Sequence, residues 1–133
     1  MKILLRLEEL AQFLLCLSVL VLNDVPWWVY PILLLGPDIG MLGYLHSGRV
    51  GAITYNLFHH KGIALLLVVG AALSDISTLL ASRTPMETSV LLIGVILYGH
   101  ASMDRALGYG LKFGDHFQHT HLGWIGKLKG KDQ

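Results

Sequence analysis

The chain is short and unusually apolar. It has 133 residues, of which 53% are hydrophobic and only 14% are charged. A soluble domain of this length needs more charge to cover its surface, so the composition predicts a single membrane domain, residues 1–133. The net charge of +1, without any stretch that mixes aromatic residues with several Lys or Arg, argues against a nucleic-acid partner. Cys16 is the only cysteine, which excludes an internal disulfide and a Cys-based metal site.

A membrane crossing takes about 20 mostly apolar residues, and the chain contains four runs of about that length or longer. The predicted spans cover residues 4–22, 26–45, 50–81 and 86–107, and a cytoplasmic interfacial tail covers residues 108–133. The first run resembles a signal peptide, but no small-x-small cleavage motif follows it, so we expect it to be retained. The sequence therefore predicts an all-α, integral membrane bundle of about four transmembrane helices.

Two of these spans contain residues that disturb a straight helix. Pro37 predicts a kink just before Asp38, and Gly62 is a point at which the long third region can bend. Gly36 and Gly40 have the spacing of small residues that is typical of close contacts between membrane helices. The backbone next to Asp38 is therefore expected to be open to a ligand.

Basic residues near the span ends predict the orientation, because cytoplasmic segments close to a membrane are enriched in Lys and Arg. In a four-span arrangement Arg83 falls on one side, and these basic residues fall on the other: Lys2, Arg6, Arg49, Arg105, Lys112, Lys127, Lys129 and Lys131. Lys61 lies inside the third span and is not counted. Both termini are thus predicted to be cytoplasmic, in a multi-pass protein of the cell membrane. Membrane lipids are its expected partners, and a homo-oligomer is compatible with the sequence.

Ionisable residues inside spans are costly in hydrocarbon, which makes them candidates for function. Three antiparallel helices bring ionisable and polar groups to one level near the cytoplasmic side, and the groups are Asp38, then Asn56, His59 and His60, then His100 and Asp104. His100 and Asp104 are four residues apart, as are Asn56 and His60, and side chains at this spacing project from one face of a helix.

The predicted metal ligands are Asp38, His60, His100 and Asp104. Two carboxylates and two imidazoles on facing helices suit a divalent transition metal such as zinc, iron or manganese. His59 points about 100° away from His60 and takes its place if the helix phase differs.

Several classes of function fit these residues. In the first, a metal-dependent, hydrolase-like enzyme acts on a membrane-partitioned substrate, with Asp104 in the catalytic site and Arg105 steering an anionic head group. Snorkelling toward the interface is the alternative role of Arg105. In the second, a noncatalytic transport, sensing or scaffold component uses the same groups as a proton relay or a structural hydrogen-bond network. A b-type haem between His60 and His100 is a third alternative.

Motifs along most of the chain are similar to those of a known family. They are Gly36-Pro37-Asp38, Met41-Leu42-Gly43-Tyr44, Tyr55-Asn56 with His59-His60, Gly99-His100 with Asp104-Arg105, Gly108-Tyr109-Gly110-Leu111-Lys112, Thr120-His121-Leu122-Gly123 and Ile125-Gly126. This pattern resembles the bacterial integral-membrane family called domain of unknown function 4260. The resemblance implies about four spans and carries no assigned activity.

The resemblance also bears on three histidines of the tail. His116, His119 and His121 form an H-x-x-H-x-H group that binds a metal only if the tail folds back over the bundle, and otherwise they are surface residues. The family motifs include His121 and leave out His116 and His119. We therefore add His121 to Asp104 and Arg105 as a predicted catalytic residue.

Overall fold

The computed structural model of the protein describes residues 1–77 and 85–126. This part of the chain is mostly helical, with a small hairpin at its end. Its elements are α1 (Lys2–Leu22), α2 (Val29–Leu35), a 3₁₀ segment (Gly36–Leu45), α3 (Gly48–His59), α4 (Lys61–Ser77), α5 (Pro85–Leu107), β1 (His119–Thr120) and β2 (Gly123–Trp124). The end of the third predicted span lies outside the described residues, as do four basic residues of the orientation argument, Arg83, Lys127, Lys129 and Lys131.

Two stretches of the described chain are long and apolar enough to cross a bilayer. They are Gly48–Ser74, which joins α3 to most of α4, and Ser89–Leu107 in α5. The apolar helical stretch Val29–Leu45 is shorter. The first half of α1 carries acidic and basic residues among its leucines. By length and composition, the structure thus gives two candidate spans where the sequence predicts four.

α5 is the central helix of the bundle, with α1 and α4 packed against it. α1 runs antiparallel to α5, because Glu9 lies beside Arg105 while Cys16, further along α1, lies beside Gly99. A Cβ on Gly99 would come within 3.0 Å of Cys16, so this glycine permits the close approach. An apolar core closes the end of the bundle near the α1–α2 turn and consists of Leu20, Val29, Leu33 and Ile96.

The 3₁₀ segment and α3 form a tightly packed antiparallel pair next to this bundle. A Cβ on Gly40 would lie 2.8 Å from the carbonyl oxygen of Thr54, and one on Gly51 would lie 2.2 Å from the ring of Tyr44. The Thr54 hydroxyl donates to the carbonyl of Gly40 at 2.6 Å. The turn between the two elements ends at Ser47, whose Oγ caps α3. The missing side chains of the glycines therefore allow the two backbones to touch.

Two predicted helices are divided in the structure. The second predicted span, residues 26–45, is α-helical only as far as Leu35, because Pro37 has no N–H to donate and the chain continues past it as a 3₁₀ helix. The long third region breaks at His60, whose φ of −85° and ψ of 106° are extended. The break lies two residues before Gly62, where the sequence allows a bend.

The tail after α5 folds back along α3. The chain turns at Gly108, whose φ of +99° favours glycine, and its hairpin pairs β1 antiparallel with β2. Asn56 of α3 binds both backbone groups of Lys112, donating from Nδ2 to the carbonyl at 2.8 Å and accepting from the N–H at 2.7 Å. The tail is thus attached to the element that carries His59.

Candidate metal centre

Four ionisable side chains meet where the 3₁₀ segment, α3 and α5 come together. They are Asp38, His59, His100 and Asp104, and one ligand atom from each lies within 4.8 Å of the others. The His100 side chain is 0% exposed and that of His59 3%, whereas Asp104 is 15% and Asp38 35% exposed. The group is therefore closed on its imidazole side and open beside Asp38.

The two imidazoles are held so that their Nε2 atoms face each other. Nδ1 of His59 donates to the carbonyl of Tyr55 at 2.8 Å, and Nδ1 of His100 donates to the carbonyl of Leu33 at 2.9 Å. Because a carbonyl oxygen only accepts, both Nδ1 atoms carry hydrogen, and each neutral ring presents a lone pair at Nε2. The two Nε2 atoms are 3.1 Å apart, so a shared proton or a cation is needed to relieve their repulsion.

The two carboxylates complete a set of four ligand atoms around one point. Oδ1 of Asp38 lies 3.5 Å from Nε2 of His59 and 3.6 Å from Nε2 of His100. The Asp104 oxygens lie 3.3 Å and 3.8 Å from the same two nitrogens. With metal–ligand bonds of about 2.1 Å, ligand atoms in a tetrahedron are roughly 3.4 Å apart. The four Asp–His distances lie near that value, and the donor set of two nitrogens and two oxygens suits zinc, iron or manganese.

Tyr55 supports two of these ligands at once. Its hydroxyl donates to Oδ2 of Asp104 at 2.7 Å, and its ring stacks on His59 with 3.7 Å between the ring centroids. Its backbone carbonyl accepts the His59 Nδ1 hydrogen. Metal sites commonly have this outer layer, in which each imidazole donates its other N–H and the carboxylates are hydrogen-bonded.

His60, which the helix phase predicts as a ligand, does not lie in the group. α3 ends at His59, and the extended backbone of His60 takes that residue out of the helical phase on which the prediction rests. His60 is exposed, and its Nδ1 accepts from the N–H of Ile63 at 3.4 Å. His59 lies in the group instead, which is the alternative that the sequence leaves open. The haem alternative loses its axial pair, because His60 does not face His100.

The buried face of α3 contains the pattern that identifies His59. It consists of Gly51, Ala52, Tyr55 and His59; Tyr55 follows the first two by four and three residues, and His59 follows Tyr55 by four. Asn56, which the sequence places with the cluster, lies on the neighbouring face and binds the tail. Tyr55 is not among the residues predicted for the site, although its four-residue spacing from His59 puts the two side chains on one face.

The other two predicted catalytic residues lie outside the four-residue group. Nη1 of Arg105 is 3.8 Å from Oε1 of Glu9, so the guanidinium faces α1. Nδ1 of His121 accepts from the N–H of Leu111 at 2.8 Å. Burial lowers the pKa of His121, and the charge of Arg105 lowers it further. The effect of Arg105 on the pKa of His121 shows that these two residues are close enough to interact.

The remaining tail histidines contact side chains and backbone of the tail itself. Nδ1 of His119 donates to Oδ2 of Asp115 at 2.7 Å, and this hydrogen bond lowers the pKa of the Asp115 carboxyl. Nδ1 of His116 accepts from the N–H of Gln118 at 3.1 Å. The three histidines of the H-x-x-H-x-H group thus make separate contacts.

Lys61, which interrupts an apolar run in the sequence, is part of an ion pair between helices. Its ammonium donates to Glu9 and, at 2.6 Å, to Oε1 of Gln12, both on α1. The Tyr98 hydroxyl donates to the same Gln12 oxygen at 2.9 Å. This polar layer joins α1, α4 and α5 next to the cluster of Asp and His residues.

The fold and this site define a small helical protein with a buried group of two aspartates and two histidines. The model of the family described as Domain of unknown function (DUF4260) matches residues 2–125, and the chain belongs to this family. The match includes all four residues of the candidate metal centre. No curated protein and no solved structure matches the chain.

Proposed function

We propose that this protein is a metal-dependent membrane enzyme in which Asp38, His59, His100 and Asp104 bind one divalent transition-metal ion. The arrangement of the two imidazoles carries the proposal. Their Nε2 atoms are 3.1 Å apart, both Nδ1 atoms donate to carbonyl oxygens, and two carboxylates flank the pair. A cation at the centre of these four groups compensates two negative charges and two facing lone pairs at once.

The reaction class follows from the chemistry that such an ion supplies. A divalent ion polarises a carbonyl or phosphoryl group and activates water near neutral pH, which is the chemistry of hydrolases. Asp38 is the most exposed ligand, so a substrate approaches on its side. The hydroxyl of Tyr55 holds Asp104 in place, and we assign Arg105, with the uncharged His121 beside it, to steering an anionic head group toward the site.

Exposed aromatic residues at both ends of the bundle support a membrane location with four spans. Trp27, which is 78% exposed, and Trp28 lie at the turn between α1 and α2. Exposed aromatic side chains of the tail lie at the opposite end and are Tyr109, Phe113, Phe117 and Trp124. The 21 residues of α1 between these ends span about 30 Å, the thickness of a hydrocarbon layer. Aromatic residues are enriched at both interfaces of a membrane.

The lateral surface between these ends is apolar. Leucines with more than half of their area exposed occur on α1 at Leu4 and Leu15, and on α4 at Leu66 and Leu73. Such a surface suits acyl chains better than water. We place α1, the α2–3₁₀ stretch, α3–α4 and α5 in the bilayer, with both termini and the tail on the cytoplasmic side.

Elemental analysis of the detergent-purified protein tests the metal centre. We expect about one zinc, iron or manganese ion per chain, and its loss in His59→Ala and in His100→Ala. The matched control is His60→Ala, which removes the neighbouring imidazole outside the group and should keep the metal. A metal-free wild type, or equal metal content in His59→Ala and His60→Ala, contradicts the proposal.

Activity is tested on the loaded protein with lipid esters, amides and phosphodiesters in mixed micelles. Hydrolysis should depend on the metal and disappear in His59→Ala while persisting in His60→Ala. A metal-free but folded protein would instead favour the noncatalytic alternative, with a proton shared between His59 and His100.

A further inference from the structure

Lys112 is a buried cation next to the metal centre, and the proposed function gives it no role. The residue is only 4% exposed, and its Nζ donates to the carbonyl of Phe117 at 3.1 Å. The same Nζ lies 3.6 Å from the ring centroid of Phe117 and 4.8 Å from that of Tyr55. Because Tyr55 itself binds Asp104 and stacks on His59, one aromatic ring separates the ammonium from two of the four ligands.

The position of Lys112 is fixed from both its backbone and its side chain. Asn56 holds its N–H and its carbonyl, at 2.7 Å and 2.8 Å. The side chain turns inward over two aromatic rings, although a lysine in a tail at the membrane interface can reach water easily. The ammonium is therefore a built part of the surroundings of the site.

The negative charges that compensate this ammonium belong to the metal ligands. Burial lowers the pKa of Lys112, and the charges of Asp104 and Asp38 raise it. Within residues 1–77 and 85–126, the ammonium makes its close contacts with a carbonyl and two rings rather than with a carboxylate. Lys112 thus depends on the same two carboxylates that the proposed ion uses.

Metal binding changes this balance of charge. A divalent ion with two carboxylates and two neutral imidazoles has a net charge of zero, so Lys112 adds an uncompensated positive charge to a mostly buried site. A buried charge without a counter-charge is unfavourable. The loaded centre is then stabilised by one further negative charge, which can enter on the open side beside Asp38.

The surface around that open side indicates what carries the charge. Leu35, Ile39 and Leu42 are exposed on the same stretch of chain as Asp38. In a 3₁₀ helix residues three apart stack, so Ile39 and Leu42 form an apolar row beside the carboxylate. An anion that binds the metal ion from this side meets the apolar row, so a hydrocarbon chain attached to the anion would pack against it.

We propose that the metal-loaded centre binds the monoanionic head group, a carboxylate or a singly charged phosphate, of an amphiphile whose chain lies along Leu35, Ile39 and Leu42, and that Lys112 sets this charge preference. The inference rests on the proposed function, since it requires a metal at the four ligands. Lys112 acts through the charge of the site and is a positioning residue.

Cobalt-loaded protein in a nonionic detergent allows the test, because the visible spectrum of bound Co²⁺ responds to a new ligand. We expect acetate and decanoate both to change the spectrum, with decanoate binding at least about tenfold more tightly. Lys112→Met should still take up cobalt but should bind both anions at least about tenfold more weakly. Lys112→Arg, which keeps the charge, should restore binding to within about threefold.

The matched control is Lys61→Met, which removes a half-buried lysine that is paired with Glu9, and it should leave anion affinity unchanged. The inference is wrong if loaded wild type gives no response to either anion, or if Lys112→Met binds them as wild type does. Equal affinity for acetate and decanoate would exclude the amphiphile and leave a free anion. If Lys112→Met takes up no cobalt, Lys112→Gln and Lys112→Arg make the same comparison. A wild type that takes up no cobalt contradicts the proposed function itself.

Discussion

Replacing Gly40 with alanine should disturb the metal centre, although Gly40 is not a ligand. A Cβ at this position would lie 2.8 Å from the carbonyl oxygen of Thr54, 3.0 Å from the ring of Phe58 and 3.1 Å from Cα of Tyr55. Two of these three atoms belong to the backbone of α3 and cannot rotate away. To reach an ordinary contact near 3.4 Å, the 3₁₀ segment must move about 0.6 Å from α3.

This movement separates ligands that lie on the two elements. Asp38 moves with the 3₁₀ segment and His59 moves with α3. In the wild-type structure Oδ1 of Asp38 lies 3.5 Å from Nε2 of His59. Because metal–ligand distances are held to about 0.2 Å, a shift of about three times that amount distorts or removes one bond. Overpacking of this kind costs about 1–3 kcal/mol, and if this strain opposes metal binding it lowers the affinity by about fivefold to a hundredfold or more.

Competition with a chromophoric chelator measures the affinity for zinc in both variants. Gly70→Ala is the control, because a Cβ on Gly70 meets nothing within 4 Å. It should bind zinc like wild type. If Gly40→Ala also binds zinc within about twofold of wild type, the close contact between the 3₁₀ segment and α3 does not hold Asp38 against His59, and the reasoning fails.

Three further predictions concern the surroundings of the centre. Tyr55→Phe removes the 2.7 Å hydrogen bond to Asp104, and since a hydrogen bond to a charged group contributes about 1.5–3 kcal/mol, the same zinc titration should show an affinity at least about tenfold lower. Asn56→Ala leaves both backbone groups of Lys112 unpaired, so hydrogen exchange in residues 108–124 should become about tenfold faster or more, and an unchanged rate would contradict the docking described. Burial holds the pKa of His121 below its usual 6.5, so the unfolded tail binds the proton more tightly than the docked tail. Docking of the tail should therefore weaken as the pH falls below about 6.5. A histidine NMR titration of His121 with a midpoint above that value would refute this prediction.

The helical character of the chain and three of the four residues of the candidate metal centre can be predicted from the sequence. Apolar runs and their interruptions are local properties, and each of Asp38, His100 and Asp104 lies near the end of a run, where antiparallel neighbours meet. The choice between His59 and His60 could not be made in this way. A helix phase applies only as far as the helix continues, and the break at His60 depends on how α3 and α4 pack.

The tail could not be predicted for a related reason. Asn56 and Lys112 are 56 residues apart, and their pairing uses the backbone of Lys112, which has no sequence signature. The burial of Lys112 is equally hard to predict, because a lysine in an amphipathic tail is normally assigned to the membrane interface. The role of Lys61 could not be predicted either. Its partner Glu9 lies on another helix, so the sequence shows an isolated charge in an apolar run, and only the fold shows the ion pair.

The polar layer formed by Glu9, Lys61 and Arg105 bears on the kind of substrate that can reach the metal centre. Lys61 follows His59 by two residues and Arg105 follows Asp104 directly, so the ion pairs and the ligands lie at one level of the bundle. In the four-span arrangement that we propose, charges collect where hydrocarbon gives way to the cytoplasmic interface. The head group of an amphiphile in the bilayer lies at that same depth, so it can approach Asp38 without leaving the lipid, whereas a water-soluble substrate must pass the exposed apolar row beside it.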